Sequence, residues 1–210
     1  MVTEGILRKR FLRLLRMAHP KRGDTVVAVT LSNPQSYLML KLLVSIEQAY
    51  ASRVVLLHLG EHIPSSFEKL CKECSHRIHL QVTPGSITQL KLLAAKAVAA
   101  FEDPLCVLPL TAEEMASYIL GELLAGDLSG LALDLMYRTA YPLSTTLLSE
   151  VPVEEGAAPG CPHVQLTPSV TALLQSLAGR VDLPALSRLY LRLIHNWRER
   201  GRAPRRGSMG

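Results

Sequence analysis

Short runs of β-branched and aliphatic residues alternate with helical segments four times between residues 25 and 125, and this alternation restricts the fold more than any other feature. Thr25–Thr30 (TVVAVT) and Arg53–Leu59 (RVVLLHL) are nearly all apolar, the pattern of strands buried on both faces. Ile78–Val82 and Leu105–Leu110 repeat it in shorter form. Helices are predicted from Pro34 to about Ala49, over about Ser65–Cys74, over Ile87–Phe101 and over Thr111–Ala125. Pro34 suits the first turn of a helix. Thr111 and Glu114 have the spacing of a capping box, and Ala112, Met115, Ala116, Ile119 and Leu123 share one face. The repeat predicts βαβ units and an α/β fold: an open, doubly wound, mostly parallel, Rossmann-like sheet with added C-terminal helices. Such sheets bind ligands at the carboxyl ends of strands near the topological switch point. The first such end is Thr30-Leu31-Ser32-Asn33.

Further segments flank this body. Gly5 to Met17 reads as a helix with the apolar stripe Ile6, Leu7, Phe11, Leu14 and Leu15, and His19-Pro20 ends it. After Gly126-Asp127 the pattern loosens, with short elements expected at Leu131–Met136 and Thr145–Ser149. Glu154–His163 has the composition of a linker. Thr167-Pro168 starts a helix that ends near Gly179. Asp182-Leu183-Pro184 starts the last, with Leu186, Leu189, Tyr190, Leu193 and Trp197 as its docking stripe. The expected organisation is therefore a basic N-terminal helix (1–22), an α/β domain (23–150), a linker (151–166), C-terminal helices (167–200) and a disordered tail (201–210).

The net charge of +5 conceals an uneven distribution. Residues 1–22 carry seven basic groups against Glu4, residues 188–210 carry seven arginines against Glu199, and the stretch between is net acidic. Two basic ends around an acidic body point to a polyanion or a membrane surface, or are simply solvated basic helices. The longest apolar runs fall short of a membrane span, and no apolar leader core follows the N-terminal charges. Four cysteines in 210 residues are too few for a disulfide scaffold, which fits a cytoplasmic location. Three Phe and one Trp argue against a stacking platform for single strands.

Each candidate site has a structural reading beside the chemical one. The loop after the first strand faces a helix N-terminus, the natural anion site, but it contains no glycine. Ser32, Asn33 and Ser36 offer donors there and are equally good cap and turn residues. Cys71-x2-Cys74-x-His76-x2-His79 resembles zinc spacing. However, Phe67, Leu70, Cys71 and Cys74 fall on one helical face, a core stripe of reduced cysteines, and metal is not expected. His58 ends the second strand on the ligand rim.

In order, these pieces resemble the PP-loop ATPase superfamily and its tRNA-thiolating branch, over about residues 5–150. Phe11–Ala28 (FLRLLRMAHPKRGDTVVA) is similar to the basic helix, turn and first strand of that family. Ala112-Glu113-Glu114-Met115-Ala116-Ser117-Tyr118, followed by Leu123-Leu124-Ala125-Gly126-Asp127, is similar to its helix after strand four, and Pro142-Leu143 follows. The family's Ser-Gly-Gly-x-Asp-Ser loop is replaced by Thr30-Leu31-Ser32-Asn33-Pro34-Gln35-Ser36, and Gly60 stands for the aspartate after strand two. Its Cys-x2-Cys place, near Thr83–Gln89, holds no cysteine.

The resemblance implies a PP-loop fold that has lost its loop, like the non-catalytic subunit of the cytosolic tRNA wobble-uridine 2-thiolase. On that reading the protein is a pseudoenzyme with no cofactor expected. Its partners are tRNA and a catalytic PP-loop thiolase subunit or a second copy of itself, with no membrane involved. Thr30, Ser32, Asn33, Ser36 and His58 are then the vestige of an ATP site. Arg8, Lys9, Arg10, Arg13, Arg16, Lys21, Arg22, Arg198, Arg200 and Arg202 are the phosphate contacts. Two alternatives stand beside it: a divergent ATP-binding enzyme that adenylylates tRNA, and a homodimeric basic scaffold.

Overall fold

The computed structural model describes residues 3–50, 52–126, 129–152, 176 and 180–202. The expected linker from residue 153, the expected helix from Thr167 to Gly179 apart from Ser176, and the tail from residue 203 lie outside the described residues, as does Cys161.

Among the described residues five strands form one sheet in the order β3-β2-β1-β4-β5. They are β1 (Thr25–Thr30), β2 (Arg53–Leu59), β3 (His76–Leu80), β4 (Leu105–Val107) and β5 (Arg138–Ala140). All four pairings are parallel, so the expected doubly wound α/β architecture is present. The helices are α1 (Glu4–Arg16), α2 (Pro34–Tyr50), α3 (Ser65–Leu70), α4 (Ile87–Val98), α5 (Ala112–Ala125), α6 (Ser129–Met136) and α7 (Leu183–Arg202).

Successive strand residues point to opposite faces, and the two faces are covered by different helices. Val26, Ala28, Val54 and Leu56 pack under α1, α2 and α3, against Leu7, Phe11, Leu38, Leu42 and Phe67. Val27, Val29, Val55 and Leu57 pack under α4, α5 and α7, against Leu90, Ala94, Met115, Tyr118 and Tyr190. Burial on both faces is why β1 and β2 read as unbroken apolar runs.

Several boundaries differ from expectation. β4 stops at Val107, because Pro109 supplies no N–H to a ladder. β3 begins two residues earlier than Ile78 and is half-exposed at the sheet edge. The third helix ends at Leu70, and a 3-10 turn over Cys71–Glu73 follows. Cys71 and Cys74 are bonded to each other there, which corrects the expectation of reduced core cysteines. Thr145–Ser149 yields only a 3-10 turn at Leu148–Glu150. Ile6 of the first stripe is exposed.

Behind the sheet, Lys91 of α4 meets Asp134 of α6. Asp134 also accepts hydrogen bonds from Tyr141, Tyr190 and Thr139. Arg198 of α7 donates to the Asp134 and Tyr137 carbonyls. This polar hub ties α4, α6, β5 and α7 together. Gly130 leaves room for the neighbouring Tyr118: a Cβ there would lie 2.2 Å from the Tyr118 hydroxyl.

Candidate functional site

β1 is followed by α2 and pairs with β2 on one side and β4 on the other, so the switch point lies between the carboxyl ends of β1 and β4. The loop from Leu31 to Ser36 fills it. Three of its amides are engaged internally. The Leu31 N–H donates to Ser36 Oγ (3.0 Å), the Ser36 N–H to Asn33 Oδ1 (2.9 Å) and the Asn33 N–H to the Leu31 carbonyl (2.8 Å). Leu31, Asn33, Gln35 and Ser36 are all buried. A phosphate cradle requires such amides to face outward, with room for the backbone to approach the ligand. The N–H groups of Leu31, Asn33 and Ser36 are turned to partners within the loop rather than toward a ligand.

His58 closes the loop from the β2 side. Its Nδ1 lies 3.0 Å from Thr30 Oγ1 and its Nε2 3.3 Å from Ser32 Oγ. Thr30 Oγ1 also donates to the Leu57 carbonyl (3.3 Å). Thr30 and Ser32 thus engage the two ring nitrogens of His58. Burial, with a further push from His79, lowers the His58 pKa to about 4, so the ring is neutral at pH 7. Gly60 follows at φ +155°, and a Cβ there would lie 3.2 Å from His58 Nε2 and 3.6 Å from Ser32 Oγ. The space of any longer side chain at position 60 is taken by this pair.

The opposite wall is α5. Thr111 and Glu114 form the expected capping box, but Leu123 is exposed. Glu114 is buried, and its second carboxylate oxygen accepts from Gln35 Nε2 (3.0 Å). This bond across the switch point, unread in the sequence, joins the N-termini of α2 and α5. Its one sequence signal is that a capping glutamate leaves one oxygen over. Asn33 Nδ2 and Gln35 Oε1 are buried beside it with no partner.

Among the described residues, Cys71, Cys74 and Cys106 do not converge as the thiolates of an iron–sulfur cluster do. Cys71 and Cys74 bind each other. Cys106 is inside β4, and burial pushes its thiol up to about 12. His76 and His79, three apart on β3, point to opposite faces, so the two rings do not converge.

The basic residues divide into two groups. Arg8, Lys9, Arg13, Arg16, Lys21 and Arg22 are exposed on or just after α1. Arg10 instead grips Glu150 through two hydrogen bonds of 3.0 and 2.9 Å. Arg198 is engaged with the hub carbonyls and Thr139. The side chains of Arg200 and Arg202 lie outside the described residues. The two basic ends nevertheless meet: the rings of His19, after α1, and His195, on α7, stack at 5.1 Å. Leu14, Met17 and Ala18 share a small cavity with Leu191 and Ile194 beneath them.

Among the described residues no helix is long and apolar enough to cross a membrane. No family model and no curated protein matches the chain. Its fold is similar to that of the U34-tRNA thiolase NcsA from Methanococcus maripaludis, solved with its 4Fe–4S cluster. The TM-score is 0.64 at 14% sequence identity, over 90% of this chain and 79% of that chain. At this identity the likeness is one of fold.

Proposed function

We propose that the protein is a non-catalytic, tRNA-binding subunit in cytoplasmic tRNA 2-thiolation, working beside a catalytic PP-loop thiolase subunit or a second copy of itself. The observation that carries this reading is the meeting of α1 and α7. His19, just after α1, and His195, on α7, lie 176 residues apart in the chain and their rings stack at 5.1 Å, so the exit of α1 touches α7, and Arg16, Lys21 and Arg22 flank that contact in the sequence. The fold likeness to a U34-tRNA thiolase supplies the kind of polyanion. The self-bonded Leu31–Ser36 loop supports the loss of ATP turnover.

The test is tRNA binding by the purified protein across a salt series, with DNA and heparin as competitors. Each phosphate contact steepens the log–log salt slope by roughly 0.7–0.9. A slope of several contacts with preference for tRNA supports the reading. Equal affinity for all three polyanions would instead support a basic scaffold, and salt-independent or absent tRNA binding would overturn the proposal.

A second reading rests on the orphaned Asn33 Nδ2 and Gln35 Oε1. In a divergent ATP-binding enzyme these atoms, with Ser32 and Ser36, would stand in for the missing glycines. Calorimetric titration with ATP and magnesium separates the two: micromolar binding selects the enzyme.

A further inference from the structure

We propose that His19, His195 and Glu199 form a binding site for a divalent metal of the zinc class, one that fastens the exit of α1 to α7. One ligand atom from each residue lies within 4.8 Å of the other two. His195 and Glu199 are one helical turn apart, with Nε2 and Oε1 at 3.3 Å. Bonds of about 2.0–2.1 Å in a tetrahedron put neighbouring ligands about 3.3 Å apart, so this edge already has the required length. The exposed His19 ring, stacked on His195 with 23° between the ring planes, has to turn as well as close in, so that its in-plane lone pair points at the same position.

The site is built from both sides. His19 holds a left-handed backbone at φ +50°, uncommon for a residue with a Cβ. Its N–H donates to the Arg16 carbonyl (3.0 Å) and its carbonyl accepts from Arg138 Nη2 (2.9 Å). Arg138 is buried and anchored on Asp24 and Asp103. The backbone that carries the His19 ring is thereby held in place. On α7, His195 is the sole histidine and Glu199 the sole carboxylate, and both face His19 in an otherwise arginine-rich segment. Two imidazoles and a carboxylate are the donor set of an open zinc site with a fourth position for water. A cavity of about 30 Å³, lined partly by His195, adjoins the trio. A stacked His pair with a plain His–Glu contact would explain the ring packing, but such a pair needs no third ligand at this spacing.

The experiment uses the full-length protein stripped of metal with a chelator. Titration with Co2+ is followed by visible absorption, and titration with Zn2+ by calorimetry and thermal melting. One ion per chain, a tetrahedral cobalt spectrum and a raised Tm are expected. His19→Ala and Glu199→Gln should each weaken binding at least tenfold with unchanged circular dichroism. His76→Ala, at an exposed histidine on β3, should leave it unchanged. Weak binding of several ions, or binding that survives both His19→Ala and Glu199→Gln, would overturn the site. No tRNA enters the assay, so its outcome is independent of the proposed function.

Discussion

Lys91 Nζ and Asp134 Oδ2 meet at 2.6 Å with neither side chain more than 2% exposed. Burial lowers the lysine pKa, and the carboxylate opposes that shift. The ammonium also lies 3.9 Å from the Tyr118 ring centroid, a cation–π contact in a dry site. Every neighbour of the carboxylate is a donor: Lys91, Tyr141, Tyr190 and Thr139. Asp134→Asn would turn an NH2 group toward donors and remove the counter-charge bonded to the ammonium. The expected loss is about 3–5 kcal/mol by urea denaturation. Lys91→Met should cost less, because the carboxylate keeps three hydroxyl donors.

The His58 ring gives the fold an acid sensitivity. Its pKa of about 4 in the folded protein lies below the ordinary 6.5 of an exposed histidine. Between these values the unfolded chain binds a proton that the folded chain refuses, so stability falls as pH drops from 6.5 to 4. Above 6.5 this contribution is complete, and below 4 this group removes nothing further. The expected loss is about 3 kcal/mol. Stability curves against pH for the wild type and His58→Gln should therefore converge toward pH 4 if the wild type starts higher. Parallel curves would show that the ring titrates normally.

The sequence was most legible where burial acts on both faces of a strand: β1 and β2 begin and end where their apolar runs do. β5 was not legible, because Arg138 reads as surface while it is buried among two aspartates and the His19 carbonyl. The docking face of α7 matches the expected stripe at Tyr190 and departs from it at Leu189, Leu193 and Trp197. Leu189, Leu193 and Trp197 are each more than half exposed, and Ser187, Tyr190 and Ile194 face inward. Tyr190 and Arg198 fix this rotation by bonding to Asp134, and polar anchors leave no trace in an apolar period. At the site, Ser32, Asn33 and Ser36 were visible as polar loop residues. The Ser32–His58 contact and the Gln35–Glu114 link join residues 26 and 79 apart, and neither distance can be read from the local sequence.

Gly130 and Gly5 make a matched pair. Both lie in helices, but a Cβ at Gly130 would meet the buried Tyr118 hydroxyl at 2.2 Å, whereas one at Gly5 meets nothing within 4 Å. Gly130→Ala should destabilise by about 1–3 kcal/mol through overpacking. Gly5→Ala should stabilise by up to about 1 kcal/mol, since alanine loses less backbone freedom in a helix. Thermal melting of both variants checks the sign.

Arg10 and Arg13 lie on one basic helix and should report on different properties. Arg10 is half-buried against Glu150, which also accepts from the Leu147 N–H and so anchors the 147–150 turn to α1. A two-pronged, partly exposed pair of this kind is worth roughly 1 kcal/mol. Arg10→Ala should lower stability by about that much and leave the salt slope of tRNA binding unchanged. Arg13 is exposed, with its charge available to a phosphate. Arg13→Ala should leave stability within about 0.5 kcal/mol and lower the slope by roughly 0.7–0.9. If instead Arg10→Ala flattens the slope and Arg13→Ala does not, the face of α1 assigned to tRNA is the wrong one.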